Sequence, residues 1–366
     1  MTDTQKIKIL VLTPTLACGG SEKFVSLVCN HINTKIFSVC LIVIDNTNPF
    51  YKITNAEINL INLQKSRVLF SLPAIKKAVK DFEPDIIFST ANHLNLYLAI
   101  FRNHFKAGIQ FIAREASIVS INSRQAKMPA LYNRLIKKYY NRFDRIICQS
   151  VYMQHDLVQH YHIDADKTTV FHNAVQEVMA KPAEQSEQNT EKIYKFLTVS
   201  RLSEEKGIER LIHAVGLLSV PFKYFIIGGG AKRNLLQQLI EELQLQDKVF
   251  LLGEKKEPFS GMEDADLFLM GSYYEGFPNV LLEAGAHGIP VIAFNAPGGI
   301  AEIITGKENG LLVDDNDIIG FADSINKCLA VNFNRNTIIE TTQKRFSINN
   351  IIPVLEKLFL SLTVNK

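Results

Sequence analysis

Cysteine is scarce in this 366-residue chain, and none of it is arranged like a metal-binding or redox motif. The five cysteines form an odd number, and no two of them have the C-x-x-C spacing. A disulfide framework needs paired cysteines and a structural zinc site needs closely spaced ones, so neither is expected. We therefore expect a reducing, cytoplasmic environment. The cysteines are Cys18, Cys29, Cys40, Cys148 and Cys328.

A long apolar run is absent as well. The longest window without a charged residue, residues 284–301, contains four glycines and two prolines, so it does not predict a membrane-spanning helix. Near the start, Lys6 and Lys8 precede an apolar stretch, an arrangement that a secretory leader shares. That stretch is short, and the glycine pair after it opens a new apolar pattern, so we expect no leader.

The net charge of +3 conceals a difference between the two halves of the chain. Residues 1–175 contain 21 Lys and Arg against 12 Asp and Glu, whereas residues 176–366 contain 19 against 25. A basic excess in one part of a chain favours an anionic partner there. We therefore expect the first half to meet an anionic surface or substrate.

Short apolar runs alternate with amphipathic segments along the chain. Runs such as FSVCLIVI, PDIIFST and YKFLTVSR are rich in β-branched and aromatic residues, and this alternation predicts βαβ units and parallel sheets. A polar segment interrupts the pattern, which predicts α/β domains at residues 1–175 and 193–347 with a linker at 176–192. In two doubly wound domains that meet at a cleft, the carboxyl ends of both sheets surround one ligand.

Two loop motifs could bind a phosphate-containing ligand. Gly19 and Gly20 follow the first strand, where glycine lets the backbone approach a ligand, although a tight turn would use the same residues. Arg201 and Lys206 lie between a strand and a helix that begins near residue 208. Two cations at such a junction suit a diphosphate. The alternative is that they only form surface pairs with the glutamates between them.

Two further patterns resemble cofactor or metal motifs but are incomplete. In IIGGGAKR, Gly228 and Gly230 are followed by Arg233 where the dinucleotide fingerprint has its third glycine, so we expect no hydride-transfer cofactor. The acids of DAD (264–266) lead directly into a strand, and those of DDND (314–317) lie in a loop pattern. We interpret both groups as structural and expect no metal site.

The segment SYYEGFPNVLLEAGAHGIPVIA places two carboxylates in an apolar frame. Seven residues separate Glu275 from Glu283. Pro278 suits the first position of a helix, so Glu283 is predicted within the helix and Glu275 in the loop before it. Both acids could then face a helix N-terminus, which is a common phosphate-binding position. A surface loop with one capping glutamate would give the same local pattern.

Together these motifs resemble the retaining glycosyltransferases of family 4, which have the two-domain GT-B fold. The resemblance rests on CGGSEK, VSRLSEEKG, FLLGE, ADLFLMGS, EGFPNVLLEAGAHGIPVIA and PGGIAEIITGKENGLLV, in that order. It spans the chain and is most specific in residues 196–316. It implies two Rossmann-like α/β domains facing a central cleft, with a C-terminal helix at about 348–366 packed back on the first domain.

The resemblance also implies roles for individual residues. Glu283 would hold the ribose hydroxyls of the nucleotide, and Glu275 would reach the donor sugar near the reaction centre. Arg201 and Lys206 would neutralise the leaving diphosphate, and N–H groups at the head of the helix would bind sugar hydroxyls or phosphate. The other implied donor-binding residues are Gly19, Gly20, Gly253, Glu254, Phe277, Asn279, Val280, Leu281, Gly298 and Gly299.

One position departs from the family pattern. Many members have a histidine after the fifth strand of the first domain, near the hydroxymethyl group of the donor sugar, whereas this chain has FIAREAS. Arg114 and Glu115 occupy the corresponding position. His93 is the nearest alternative, although a lone histidine there could equally begin a helix. Arg114 and His93 are therefore the candidate catalytic residues of the first domain.

A basic segment at residues 124–145 contains seven Lys and Arg against one Asp, interleaved with aromatic residues. A basic amphipathic helix of this kind is typical of contact with an anionic membrane surface. A solvated helix face with its aromatics in the core would have the same pattern. Because many family members act on lipid-diphosphate-linked sugars, we favour the membrane. The candidate membrane or acceptor face comprises Arg134, Lys137, Lys138 and Arg142.

The expected activity is transfer of a hexose or N-acetylhexosamine from a nucleotide sugar, most simply a UDP-sugar, with retention and without a metal or other cofactor. The acceptor would be a growing cell-surface glycan or a lipid-linked oligosaccharide at the cytoplasmic face of the membrane. No nucleic acid partner is expected. The alternatives are a nucleotide-sugar epimerase of similar fold and an inactive sugar-nucleotide-binding protein.

Overall fold

The computed structural model describes residues 6–178, 192–331 and 333–363. The first of its two units comprises Met1–Ala174 with Ile348–Lys366, and the second comprises Val175–Ser347. Each unit is built on one parallel sheet accompanied by helices, so the α/β class predicted from the sequence is confirmed. Most of the predicted linker lies outside the described residues.

The sheet of the first unit has seven parallel strands. They are β1 (Ile7–Thr13), β2 (Phe37–Val43), β3 (Asn59–Asn62), β4 (Ile86–Ser89), β5 (Gln110–Arg114), β6 (Arg145–Cys148) and β7 (Thr168–Val170). Their order across the sheet is β3-β2-β1-β4-β5-β6-β7. Leu10 of β1 pairs with Cys40 on one side and with Ile87 on the other. The strand order therefore reverses beside β1.

Helices connect these strands. They are α1 (Gly20–His31), α2 (Leu72–Phe82), α3 (Asn92–Phe101), α4 (Val119–Ser123), α5 (Pro129–Tyr139) and α6 (Val151–Tyr161). The chain moves across the sheet in one direction from β1 to β3 and in the other from β3 to β7. Because such crossovers are right-handed, α1 lies on one face of the sheet, and α2, α3, α5 and α6 lie on the other.

The sheet of the second unit has six parallel strands in the order β10-β9-β8-β11-β12-β13. The strands are β8 (Tyr194–Val199), β9 (Phe222–Ile227), β10 (Val249–Gly253), β11 (Leu267–Met270), β12 (Val291–Phe294) and β13 (Gly310–Val313). The helices are α7 (Ile208–Gly216), α8 (Arg233–Glu242), α9 (Asn279–Ala286), α10 (Ile300–Ile303), α11 (Ile318–Ala330) and α12 (Arg335–Phe346). Here the order reverses between β8 and β11, and ligands of doubly wound sheets bind beyond the strand ends at such a point.

The last helix belongs to the first unit. α13 (Ile348–Ser361) packs on α1, and its Ile352, Leu355 and Phe359 are buried in the same core cluster as Phe24 of α1. Burial of apolar side chains is the main stabilising term of such a core. The first unit is thus completed by both ends of the chain. Over the residues that the structure describes, none of the helices has the length and apolar character that crossing a bilayer requires.

Candidate functional site

The loops at the carboxyl edge of the second sheet are joined by backbone hydrogen bonds. After β8, Ser200 N–H donates to Ile227 O (3.0 Å) and Leu202 N–H donates to Gly229 O (2.7 Å). The loop after β9 is joined to the loop after β10, because Gly228 N–H donates to Gly253 O (2.9 Å). These hydrogen bonds therefore fix neighbouring loops relative to one another, and side chains at this edge have defined positions.

Lys206 and Glu275 meet at this edge, beside the point where the strand order reverses. Lys206 follows β8 and Glu275 follows β11, and Lys206 Nζ lies 2.5 Å from Glu275 Oε1. Ser272 Oγ donates to the same carboxylate oxygen (2.7 Å). The two charged side chains are only 17% and 13% exposed, so their attraction is weakly screened. The structure thus brings together two residues that the sequence predicted in separate motifs.

The Gly298 loop holds the backbone of Glu275. Glu275 and Gly298 form an isolated parallel bridge, in which Glu275 N–H donates to Pro297 O (3.0 Å). One residue further, Gly299 N–H donates to Gly276 O (3.0 Å). Gly298 has a φ of +121°, and a Cβ there would overlap the carbonyl oxygen of Glu275. Glycine is therefore required because the backbone of Glu275 passes too close for any side chain.

Arg201 has a more open position than Lys206. Its side chain is 75% exposed, and its Nη2 lies 2.9 Å from Glu205 Oε1. Ser203 Oγ donates to the same oxygen (2.7 Å). Burial raises the pKa of Glu205, but hydrogen bonds from Ser203 and the backbone and the charges of Arg201 and Lys206 outweigh it, so the pKa lies below its ordinary value. Arg201 therefore forms the surface pair considered above, whereas Lys206 pairs with Glu275 instead.

Helix α9 begins one residue later than the sequence predicted. Pro278 is the residue before the first turn, and the helix starts at Asn279. Leu281 N–H donates to Pro278 O (3.2 Å), and the Leu281 side chain is buried. This N–H is thus engaged within the turn, and the binding of a donor at Leu281 stays a prediction. Phe277 is also buried and lies edge-on to the ring of Phe346, at 5.6 Å between centroids.

One stripe of α9 is only partly buried. It contains Asn279, Val280 and Glu283, whereas Leu282, Ala284 and their neighbours are buried. Residues three and four apart share a helix face, so Glu283 lies one turn beyond Asn279 and Val280. Glu275 lies in the loop before the helix, as the sequence predicted. The two glutamates therefore occupy different kinds of position.

Gly253 and Glu254 lie beside the glycine-rich run after β9. Gly253 has a φ of +77°, and a Cβ on Gly229 would meet the Glu254 carboxyl group. Gly228 and Gly230 have φ values of +146° and +153°, and a Cβ on either would overlap the loop that carries Arg201. The run thus permits close packing of loops, which is a structural reason for its glycines.

Arg210 is a site residue that the sequence did not reveal. Its guanidinium is almost fully buried and donates to Gly271 O (2.7 Å) and Ser272 O (2.6 Å) in the loop leading to Glu275. It also donates to Asp315 Oδ1 (2.7 Å). A charged residue in a helix ordinarily faces solvent, so the sequence contains no signal for this position. Ser272 lies three residues before Glu275 and could have been proposed from the sequence as the hydrogen-bond partner of Glu275.

The acidic clusters have protein partners. Asp264 pairs with Lys195 (2.6 Å), and Asp266 pairs with Lys192 (2.8 Å). Asp317 caps α11 by accepting from Gly320 N–H (2.8 Å). Within residues 6–178, 192–331 and 333–363, no group of three or more His, Cys, Asp or Glu is arranged to hold a metal ion.

In the first unit, Gly19 and Gly20 lie at the start of α1. Gly19 is the residue before the helix, and its carbonyl accepts from Lys23 N–H (2.9 Å). Ser21 Oγ donates to Thr90 O (2.5 Å), which connects this turn to the loop after β4. The pair therefore lies at the carboxyl edge of the first sheet, where the sequence placed it.

Arg114 and Glu115 are fully buried. The Arg114 guanidinium stacks on the ring of Phe24 at 3.8 Å and donates to Asn173 Oδ1. Burial lowers the pKa of Arg114 to about 9, although the charges of Glu115 and Glu22 oppose this. The catalytic role of Arg114 stays a prediction.

Glu115 accepts hydrogen bonds from Asn95 Nδ2 (2.8 Å) and Tyr140 Oη (3.1 Å). Burial raises the pKa of Glu115 to about 7, because its desolvation outweighs these bonds and the charge of Arg114. His93, the other candidate, is the second residue of α3 and is exposed. Desolvation by its surroundings lowers the pKa of His93 below its ordinary value.

The basic segment forms a shorter helix than predicted. α5 ends at Tyr139, a 3-10 turn follows at Tyr140–Arg142, and Arg145 already begins β6. Phe143 is buried just before this strand, so the chain must leave the helical path there. The amphipathic helix therefore covers only half of the predicted segment.

Three of the four predicted cations of this face are exposed, namely Arg134, Lys137 and Lys138. Arg142 differs, because its Nη1 donates to Ala99 O (3.3 Å) and Ile100 O (3.0 Å) near the end of α3. Its guanidinium also lies over the ring of Tyr139 at 4.5 Å. Arg142 thus binds the last carbonyls of a helix instead of extending from the face.

Family models match nearly the whole chain. Residues 18–177 match the model described as Glycosyltransferase Family 4, and residues 179–345 match the model described as Glycosyl transferases group 1. Together with the two parallel sheets, these matches define a GT-B glycosyltransferase. The chain belongs to the family 4 glycosyltransferases, and the resemblance drawn from its motifs is confirmed.

Two curated proteins and one solved structure are similar to this chain over most of its length. The N-acetylgalactosamine-N,N'-diacetylbacillosaminyl-diphospho-undecaprenol 4-alpha-N-acetylgalactosaminyltransferase of Campylobacter jejuni is 29% identical over 325 residues, covering 86% of this chain and 87% of that protein. The amylovoran biosynthesis glycosyltransferase AmsD of Erwinia amylovora is 24% identical over 338 residues, covering 88% and 90%. The crystal structure of Anabaena Alr3699/HepE in complex with UDP is 21% identical, with a TM-score of 0.79 and coverage of 98% and 100%. That likeness shows the shared fold.

Proposed function

We propose that this protein transfers a hexose or N-acetylhexosamine from a UDP-sugar to a lipid-linked or growing cell-surface glycan, with retention and without a metal. The observation that carries the proposal is the close pair of Lys206 and Glu275 beside the start of α9. It places a cation and a carboxylate at the edge of the sheet where doubly wound folds bind nucleotides.

The proposed step breaks the bond between the anomeric carbon and the diphosphate oxygen. The acceptor hydroxyl attacks the same carbon from the face that the diphosphate leaves, and its proton passes to the departing oxygen. Negative charge grows on the diphosphate, and Arg201 and Lys206 would stabilise it. An ammonium group has three N–H donors, so Lys206 can bind phosphate while Glu275 retains one of them.

The comparisons support the choice of substrates. The Anabaena neighbour binds UDP, and the Campylobacter relative is named for transfer to a diphospho-undecaprenol-linked acceptor. The Erwinia relative is named for amylovoran biosynthesis. A UDP-sugar donor and a polysaccharide or lipid-linked acceptor are therefore the substrates to test first. An acceptor anchored in lipid would also place the enzyme at the cytoplasmic face of a membrane.

Measurements of UDP binding, sugar transfer and product stereochemistry test the proposal, with a reaction of donor alone as the control. UDP should raise the melting temperature because ligand binding stabilises the native state by mass action. With a UDP-sugar and a polyprenyl-diphosphate-linked oligosaccharide, UDP release should equal glycan product measured by mass spectrometry. Proton NMR should show the anomeric configuration of the donor in the product. Conversion of the donor sugar without acceptor would instead indicate an epimerase, and UDP binding without conversion an inactive binding protein.

A further inference from the structure

A second basic segment lies in the first unit, apart from the one around α5. This second segment comprises residues 65–80 and is called the α2 segment. The α5 segment denotes residues 124–138. Together they contain ten of the 21 Lys and Arg of residues 1–175 and none of the 12 acidic residues. The first acid beyond the α2 segment, Asp81, stands at the far end of α2 and pairs with Lys77. The basic excess of the first half is thus concentrated in these two segments.

Each segment also exposes large apolar side chains near the start of its helix. In the α2 segment, a 3-10 turn at Val68–Phe70 leaves Leu69 65% and Phe70 60% exposed. In the α5 segment, Met128 is 63% and Leu131 44% exposed. Single exposed apolar residues are common on proteins, but four at the corresponding ends of two basic elements need an explanation.

The two segments lie on the same face of the first sheet. α3 contacts both the 3-10 turn and α5, and Tyr97 Oη of α3 donates to Leu69 O (3.1 Å). Right-handed crossovers place α2, α3 and α5 on one face. α3 begins directly after β4, and α2 and α5 end a few residues before β4 and β6, so the first turns of all three helices lie toward the carboxyl edge of the sheet. The apolar tips therefore share one edge, and the exposed cations continue along the helices.

We propose that the α2 and α5 segments form one surface that docks on an anionic lipid bilayer, with Leu69 and Phe70 inserted among the lipid headgroups. Cations without intervening acids complement anionic lipids, and exposed apolar tips gain free energy when they enter the interface. This proposal extends the membrane face of the proposed function to a segment outside α5. The bound enzyme would present the carboxyl edge of its first sheet near the membrane surface.

The chain contains no tryptophan, which permits a direct test of insertion. Phe70→Trp introduces the sole tryptophan at the tip, and Leu235→Trp introduces one at a position in the second unit that is also 60% exposed. Vesicles of phosphatidylglycerol and phosphatidylcholine should shift the emission of the Phe70→Trp protein to shorter wavelength and leave that of Leu235→Trp unchanged. No shift at position 70, or an equal shift at both positions, would overturn the proposal.

Paired substitutions test affinity for the same vesicles by co-sedimentation. Leu69→Ser with Phe70→Ser should weaken binding by about tenfold or more at both low and high salt, because apolar insertion is not screened. The matched control, Leu235→Ser with Ile319→Ser, changes side chains of similar exposure in the second unit and should bind as wild type. Wild-type affinity in the first pair contradicts insertion. A dimer in the wild type that this pair dissociates would assign the tips to a second copy instead.

Charge reversal tests the α2 segment separately. Lys76→Glu with Lys80→Glu should weaken vesicle binding by about tenfold or more at low salt and have little effect at high salt. Lys307→Glu with Lys327→Glu makes the same charge change on exposed residues of the second unit and should have little effect. Equal losses in both variants would indicate general attraction of the whole protein and would overturn the proposed surface.

These outcomes are separable from the fate of the proposed function. Binding of UDP is measured by thermal shift without vesicles and should be unchanged in every variant, which also verifies folding. A wild-type protein that binds vesicles through this surface but transfers no sugar would contradict only the proposed function. Sugar transfer together with wild-type vesicle binding in the serine and glutamate variants would contradict only the surface.

Discussion

At the scale of single residues, Glu275 and Glu283 have different surroundings. Glu275 is held by Lys206 and Ser272 in a loop, whereas Glu283 lies on the partly buried stripe of α9. We predict that Glu275→Ala lowers turnover about 100-fold with nearly unchanged UDP affinity. Glu283→Ala should weaken UDP binding about tenfold or more, because hydrogen bonds to a charged group are lost.

Calorimetric UDP titrations and initial rates with saturating donor would distinguish the two roles. Glu242→Ala, on the exposed surface of α8, is the control and should match the wild type in both measurements. An equal loss of UDP affinity in the Glu275 and Glu283 variants would contradict this division.

A second prediction concerns Gly298. Gly298→Ala should destabilise the protein by about 2 kcal/mol or more and also reduce turnover, because the new methyl group displaces the backbone of Glu275. Gly306→Ala is the matched control, since Gly306 also has a positive φ (+67°) but no atom within 4 Å of its built Cβ. Gly306→Ala should lower the free energy of unfolding by about 1 kcal/mol and leave turnover unchanged. Urea unfolding and initial rates provide both readouts, and identical behaviour of the two variants would refute the argument.

The buried Glu115 carboxyl should make stability depend on pH. Its pKa is about 7 in the folded protein and near the ordinary value of 4.5 in the unfolded chain, so the folded state binds the proton more tightly. The stability contributed by the protonated form is complete below pH 4.5 and is lost as pH rises to 7. Between pH 5 and 8 the loss should be on the order of 2 kcal/mol.

Glu115→Gln removes this titration and preserves an oxygen that can accept from Asn95 and Tyr140. The free energy of unfolding, measured in urea at several pH values, should therefore fall less steeply with pH in the variant. Parallel curves for the two proteins would show that Glu115 does not titrate in this range.

At the scale of elements, α5 is the part of the first unit whose role was predicted from charge. Lys137→Glu with Lys138→Glu should weaken binding to anionic vesicles by about tenfold or more at low salt, because each lysine near such a surface contributes roughly 1 kcal/mol. Transfer to a lipid-linked acceptor should slow, and UDP affinity should not change. Vesicle binding equal to that of the wild type, with an unchanged circular dichroism spectrum, would assign α5 to the solvated-helix alternative.

The elements show which features a sequence can reveal. The alternation of apolar runs and amphipathic segments was enough to predict the α/β class, because strand and helix periodicities are local properties of the sequence. The positions of Glu275 in a loop and Glu283 in a helix also follow from local signals around Pro278. The early end of α5 does not, since it depends on Phe143 entering the core before β6.

Contacts between residues distant in sequence account for the remaining differences between the sequence-based predictions and the structure. Arg114 stacks on Phe24, which lies 90 residues earlier on another element, and nothing near Arg114 in the sequence indicates this contact. Arg210 binds the carbonyls of Gly271 and Ser272 more than 60 residues later. The burial of both arginines was therefore not predicted, because burial of a charged group depends on tertiary packing rather than on its neighbours in the chain.

At the scale of the whole molecule, we predict full transferase activity in excess EDTA. Arg201 and Lys206 can neutralise the leaving diphosphate, and the acidic clusters already have partners in Lys192, Lys195 and Arg210. Initial rates should be the same after dialysis against EDTA as in buffer with added Mg²⁺. Loss of activity in EDTA that Mg²⁺ or Mn²⁺ restores would overturn this prediction.

The return of α13 to the first unit has a consequence for biosynthesis. A ribosome releases the N-terminal strands first, yet the core that Phe24 and its neighbours form is completed by Leu355 and Phe359 of the last helix. The residues of the second unit lie between these parts of the sequence, so all of them emerge before that helix does. Until α13 has emerged, the nascent first unit therefore leaves uncovered the apolar surface that this helix will occupy.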